Sequence, residues 1–169
     1  MDSSSIGMIV ALVLLLCASA YFSATETAFS SLNKIRLRNK AEDGNRRAAA
    51  TLALAEDFDR LLSTILVGNN IVNITAATLG TLLFTRFSPD YGATISTVVL
   101  TLAVLTFGEI SPKTFAKSHA ETVAMGVTPT LKAIIVVLRP LTALFSLLQR
   151  AIGRLFHNKE DTGITEDEL

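Results

Sequence analysis

The sequence predicts an all-α membrane protein, with three transmembrane helices followed by in-plane juxtamembrane helices. Three observations lead there. Half of the 169 residues are hydrophobic and the mean hydropathy is +0.47, which places the chain with membrane proteins. Apolar runs that meet the ~20 residues needed to cross a hydrocarbon core recur along it. Charge is unevenly placed although the formal net charge is zero: no Lys or Arg precedes Lys34, and Lys34, Arg36, Arg38, Lys40, Arg46 and Arg47 then follow closely. A basic cluster flanking a membrane-length run is the positive-inside pattern, so no nucleic-acid partner is inferred from it.

The first helix is expected over about residues 6–32. Met1-Asp2-Ser3-Ser4-Ser5 lacks the positive region of a signal peptide, and the apolar run after it is longer than such peptides carry, so it reads as a retained span. The basic stretch that follows belongs in the cytoplasm, which puts the N-terminus outside. Residues 33–47 form a charged connection with Gly44-Asn45 as a turn signal, and the Ala-rich residues 48–55 a short helix at the inner surface. The second helix begins near Asp59 or Leu61 and runs to about Phe84. Arg86, Ser88-Pro89-Asp90 and Gly92 make a short external turn. The third helix covers about residues 93–116, and Lys113 and Lys117 mark its return to the cytoplasm. Every Lys and Arg except Arg86 is then cytoplasmic, as an odd number of crossings requires.

Residues 123–156 are apolar but interrupted by Pro129, Lys132, Arg139-Pro140, Arg150 and Arg154. A fourth crossing would carry the last basic residues outside. Helices in the inner interface, with Lys and Arg snorkelling, fit better, and a bend or break is expected at Pro140. The tail from His157 is polar, and Thr165 and Glu168 have capping-box spacing. It reads as the approach to a soluble part outside this chain. The single cysteine, Cys17, lies in an apolar run and is expected to pack as a small hydrophobe.

Polar clusters interrupt each of the three expected spans: Ser23-Ala24-Thr25-Glu26-Thr27, Gly68-Asn69-Asn70-Ile71-Val72-Asn73 and Gly108-Glu109-Ile110-Ser111-Pro112. A charged residue at membrane depth costs about 2.5–3.5 kcal/mol on insertion scales, so one cluster in each helix points to a joint use, an ion site between helices. On the first helix Ser19, Ser23, Thr27 and Ser30 share one face. That face also suits close packing by small residues, and Glu26 beside it could pair with a base near the inner headgroups. On the second, Asn69, Asn70 and Asn73 have i, i+3 and i, i+4 spacings; they serve either as interhelical hydrogen-bond glue or as hard, neutral ligands for Mg²⁺, Ca²⁺ or Na⁺. On the third, Pro112 has no N–H, so the Gly108 carbonyl four residues earlier loses its helical donor and needs another donor or a cation. Glu109 stands next to it; the competing reading is a proline kink with Glu109 paired to Lys113.

The candidate ligands are hydroxyl, carboxamide, carbonyl and carboxylate oxygens. No thiolate or imidazole joins them, since His119 and His157 lie in polar positions. Such a set suits a hard cation rather than zinc, copper or iron. No Ser/His or paired-Asp constellation sits at membrane depth, so the chain is not read as an enzyme.

At these three motifs, in this order and at these separations, the chain resembles the transmembrane domain of the cyclin M/CorC family of magnesium transporters. The resemblance covers nearly the whole sequence, with Thr165-Glu166-Asp167-Glu168-Leu169 similar to the family's approach to its cytosolic CBS-pair domain. It implies that residues 1–156 are the transport domain with its juxtamembrane helices, and 157–169 a linker toward a CBS-pair domain. It implies three crossings in the inner or plasma membrane, a cytoplasmic C-terminus, a homodimer, and Mg²⁺ export coupled to Na⁺ entry. It places the Mg²⁺ ligands at Ser23, Thr27, Asn70, the Gly108 carbonyl and Glu109. Glu26, Asn69, Asn73 and Ser111 are assigned to gating or Na⁺ binding, and Pro112 to the helix kink. The alternative expectation is a membrane anchor that dimerises or senses ions for a cytosolic regulator without transporting them.

Overall fold

A computed structural model describes residues 2–157, and the expected linker, including Thr165 and Glu168, falls outside them. The described residues are helical throughout, apart from short turns. Helix α1 spans Ser3–Ser30 and α2 Lys34–Glu42; α3 spans Arg46–Glu56 and α4 Phe58–Phe87; α5 spans Gly92–Ala103. A π-helical segment follows over Val104–Ile110, then α6 over Ser111–Ser118 and α7 over Ala120–His157. The helices expected over residues 6–32, 48–55, 59–84 and 93–116 are present with bounds shifted by a few residues, whereas the connection expected over 33–47 contains a helix of its own, α2.

Local chemistry sets the boundaries between the short helices. The Asn33 side chain accepts from the Arg36 N–H at 3.0 Å and caps α2, as short polar side chains do at helix starts. Asn45 caps α3 by accepting from the N–H groups of Arg47 and Ala48. Gly44 before it adopts φ +90°, a conformation that favours glycine, which explains why the Gly-Asn pair turns the chain. Along α4, Thr64, Thr75, Thr78, Thr81 and Thr85 each return their hydroxyl to a carbonyl one turn back. That satisfies five polar groups in an apolar setting without any neighbour.

Helix α1 is the central post. It packs against α4, the π segment, α6 and α7. The core gathers at its C-terminal third, where Phe22, Ala28 and Phe29 meet Ala55 of α3, Leu61 and Ile65 of α4, Ala116 of α6, and Ala124 and Leu131 of α7. We call this the basic end, since α2 and the start of α3 carry the basic cluster. Elsewhere the outer faces are apolar and uncovered: Val13, Leu14, Ile74, Leu102 and Phe107 are each more than half exposed. Contiguous apolar surface of this kind is tolerated in lipid and not in water.

Four helical stretches among the described residues are long and apolar enough to cross a membrane: Ser3–Ser30, Phe58–Phe87, Gly92–Ser118 and Ala120–Phe145. The first three are the expected spans. The fourth is the segment expected to lie in the interface, so length and apolarity alone do not separate the two readings of α7. Its packing bears on them. Glu121 takes Arg36 and Lys40 of α2, Thr128 shares a buried hydrogen bond at 2.7 Å with Thr51 of α3, and Tyr21 bonds Thr130 at 2.8 Å. All these partners belong to the basic end. The helix also runs unbroken through Pro129 and Pro140, so of the bend or break expected at Pro140 the break does not occur. Each proline ring removes one backbone hydrogen bond, and at Pro129 the flanking core residues Ala124 and Leu131 hold the helix in place.

The α4–α5 hairpin depends on glycine at one position. A methyl group on Gly92 would lie 2.5 Å from the Thr85 Cα and N, and backbone atoms cannot rotate away. Gly92→Ala is therefore expected to destabilise by about 1–3 kcal/mol, the usual range for overpacking. Gly126 on α7 has nothing within 4 Å of that position, so Gly126→Ala should instead stabilise by roughly 0.5–1 kcal/mol through helix propensity. Thermal unfolding in detergent measures both, and shifts of the same sign would contradict the packing described.

Candidate functional site

The three polar clusters converge on α1. Gly108 is buried in the π segment, and a Cβ there would lie 2.9 Å from the Ser19 Oγ and 3.3 Å from the Ser19 Cβ. Gly68 plays the same part on α4: a Cβ would lie 2.5 Å from the Phe22 ring. Each glycine lets its helix seat directly on the Ser19–Ser23 turn. Between them the Ser19 hydroxyl donates to the Asn69 Oδ1 at 3.4 Å. One point therefore joins α1, α4 and the π segment through a hydroxyl, a carboxamide and a backbone with no side chain.

Ser23, one turn along α1, is fully buried, and its Oγ has no hydrogen-bond partner. This is unusual company for α1, since Thr25 and Ser30 on the same helix return their hydroxyls to the carbonyls of Tyr21 and Glu26. Thr27, one turn further along, is half-buried. The Asn73 Oδ1 is buried without a partner too. A buried, unsatisfied oxygen costs about 1–3 kcal/mol, and a cation or water that it binds would recover that cost.

The carboxylates divide. Glu26 reaches across to Lys113 of α6, at 3.3 Å. Lys113 is thus committed to α1, and the i, i+4 pair with Glu109 does not form. Glu109 is half-buried next to Gly108 and has no ion-pair or hydrogen-bond partner among the described residues. The backbone around it is also unusual. The Ser111 N–H bonds the Thr106 carbonyl, five residues back, in the π register that often marks functional sites. Pro112 comes next and has no N–H to continue either register. The carbonyl it would have served is Phe107 in the five-residue register and Gly108 in the four-residue one, so the change of register coincides with the proline.

Two expected residues stand apart. Asn70 is exposed on the far side of α4, where it lines a groove with Arg139 and Phe145. Ser111 is exposed on α6. Sequence reasoning placed Ser19 in the hydroxyl stripe without giving it a ligand role, and it did not foresee the π segment. The available signal was Gly108 followed four residues later by Pro112. Among the described residues no three His, Cys, Asp or Glu side chains gather as a metal cluster. The oxygens at this junction are neutral except for Glu109.

A family model described as the cyclin M transmembrane N-terminal domain matches residues 9–169. The chain belongs to this family. The cyclin M domain is also 42% identical over 143 residues to the UPF0053 inner membrane protein YfjD of Escherichia coli, covering 85% of this chain and 33% of that protein. It is 39% identical over 162 residues to a UPF0053 protein of Haemophilus influenzae, covering 95% of this chain and 39% of that protein. A more distant relative, 24% identical over 176 residues, is the polyamine export protein of Haemophilus influenzae, with 95% of this chain and 41% of that protein covered. The cyclin M domain thus spans between a third and about two fifths of the length of these curated relatives. Its matched region includes all three polar clusters and the π segment.

Proposed function

We propose that this cyclin M domain carries Mg²⁺ across the membrane as substrate, exporting it in exchange for Na⁺. The observation that carries the reading is the fate of the two carboxylates in the polar clusters of the spanning helices. Glu26 is neutralised by Lys113, while Glu109 stands unpaired beside the point where α1, α4 and the π segment meet. An uncompensated carboxylate in lipid is expensive, and a divalent cation offsets that cost. The Ser23 hydroxyl and the Gly108 carbonyl are nearby oxygens of the hard type that Mg²⁺ takes, with Thr27 next along α1. Asn70 enters the shell only if α4 turns or a second copy supplies that face. A single negative charge against +2 favours release as well as capture, which conduction requires.

The remaining features follow from that reading. Sodium competes for the same oxygens or binds the neutral set around Asn69, Asn73 and Ser111. The change of helical register at Pro112 supplies the flexible joint for alternating access, and the Glu26–Lys113 pair gates it. The domain works as a homodimer in the inner or plasma membrane, N-terminus outside. Helix α7 lies at the inner surface, and a cytosolic CBS-pair domain follows in the complete protein.

A second reading comes from the relative named for polyamine export. A polyamine presents several ammonium groups and needs several acceptors, whereas one unpaired carboxylate stands at this site. Calorimetric Mg²⁺ titration of the purified domain, with and without Na⁺ and with spermidine as competitor, separates the readings. Saturable Mg²⁺ binding weakened by Na⁺ and indifferent to spermidine is the expected result. Spermidine binding with no Mg²⁺ heat would favour the polyamine reading, and no heat from either would favour a membrane anchor.

A further inference from the structure

A groove of about 850 Å³ lies between the first half of α4 and residues 139–145 of α7, within the size range of ligand sites. Its length is apolar, with Leu66, Val67, Ile71 and Ile74 on one side and Leu141 and Phe145 on the other. Its rim, at the basic end where α4 begins, is charged. Asp57, Asp59 and Arg60 line it, and Arg139 of α7 lines the same groove. Two positive and two negative side chains thus border one apolar trough.

Those charges are poorly matched to each other. Arg60 reaches Asp57 only at 3.8 Å, with both side chains more than half exposed. Arg139 and Asp59 have no ion-pair partner among the described residues. An unpaired guanidinium beside an apolar trough calls for an oxyanion, which it binds with charge-assisted hydrogen bonds. The unpaired Asp59 carboxylate in the same groove calls for an N–H-bearing cation. An anionic headgroup would satisfy the arginines and be repelled by the aspartates. A trimethylammonium headgroup would supply the charge without any N–H to donate.

We propose that this groove is a binding site for a phospholipid whose headgroup joins a phosphate to a primary ammonium, the phosphatidylethanolamine class. Arg139 and Arg60 hold the phosphate, Asp57 and Asp59 take the ammonium, and one acyl chain runs along Leu66, Val67, Ile71 and Ile74. Asn70 lines the same groove, so a bound lipid would cover its side chain and keep it out of the Mg²⁺ shell.

The test is native mass spectrometry of the purified chain, delipidated and then offered phosphatidylethanolamine, phosphatidylcholine or phosphatidylglycerol with identical acyl chains. The expected result is retention of phosphatidylethanolamine at least about tenfold above the other two, lowered about tenfold by Arg139→Gln and by Asp59→Asn. Both residues are exposed, so these variants should fold, and Arg86→Gln at the other end of α4 should change nothing. Equal retention of the three lipids overturns the proposal, as does a preference for phosphatidylglycerol or indifference to both variants. Leu66→Cys in one copy cross-linking to Phe145→Cys in another, in a Cys17→Ser background, would show a second chain in the groove and overturn it equally.

Discussion

Glu109→Gln is expected to lower Mg²⁺ affinity at least about 100-fold while leaving the helical fold intact. The carboxamide keeps the volume and the hydrogen-bonding reach of the side chain but removes the charge. Because Glu109 has no cation partner among the described residues, its loss breaks no ion pair and relieves an uncompensated charge. The apo protein should therefore be as stable as the parent or slightly more so, whereas Mg²⁺ affinity should fall by at least about 100-fold, roughly 3 kcal/mol. A pair of unit charges at 4 Å is worth about 4 kcal/mol at the effective dielectric near protein surfaces, so the drop is within what one carboxylate can supply. Glu26→Gln gives the contrast: it leaves Lys113 without its partner and should disturb transport more than equilibrium binding. Calorimetry and thermal unfolding, run side by side, check the claim. Retained Mg²⁺ binding in Glu109→Gln would remove Glu109 from the site.

Gly108→Ala is expected to push α1 away from the π segment, and Ser19→Gly to let them close again. Alanine is the better helix former by about 1 kcal/mol, so propensity alone predicts stabilisation. The added methyl would meet the Ser19 Oγ at 2.9 Å, the Ser19 Cβ at 3.3 Å and the Leu16 Cδ1 at 3.4 Å, and so the expected effect has the opposite sign, about 1–3 kcal/mol of destabilisation. Mg²⁺ affinity should fall about tenfold with it, because the oxygens of α1 and the carbonyl of position 108 no longer keep their spacing. Ser19→Gly removes the two nearest atoms. The double variant should therefore recover much of the loss, with a coupling of about 1 kcal/mol or more in a double-mutant cycle. Strict additivity would mean that the contact between Ser19 and Gly108 does not control the site.

The two predictions differ in how much of them the sequence offered. Glu109 stood out because a carboxylate between Gly108 and Pro112 in an apolar run is costly wherever the chain goes. The partner of Gly108 did not, because nothing in the spacing of Ser19, Ser23, Thr27 and Ser30 says which member of the stripe a neighbouring backbone will meet. The same holds for Lys113. In sequence it is the i+4 neighbour of Glu109, and only the crossing of α6 over α1 gives it Glu26 at 3.3 Å instead. The π segment was hidden for a related reason: proline states that a donor is missing, but whether the helix answers by kinking or by changing register depends on what packs against it.

The sequence by itself determined the membrane class, the three principal spans, the turn at Gly44-Asn45 and the three polar clusters. These rest on terms that act locally or summed along one helix: transfer of apolar side chains into lipid, the cost of isolated polar groups, and the backbone preferences of turn residues. The tertiary structure decided which oxygens meet. It joined Ser19 to Asn69 and Gly108, left the Ser23 hydroxyl buried and unsatisfied, and turned Asn70 into the groove beside Arg139. It also packed α7 against the basic end although its composition would suit a span. Those choices depend on how helices rotate and approach one another, set by small residues such as Gly68 and Gly108 at close contacts. That is a many-body packing outcome, and no single segment of the chain encodes it.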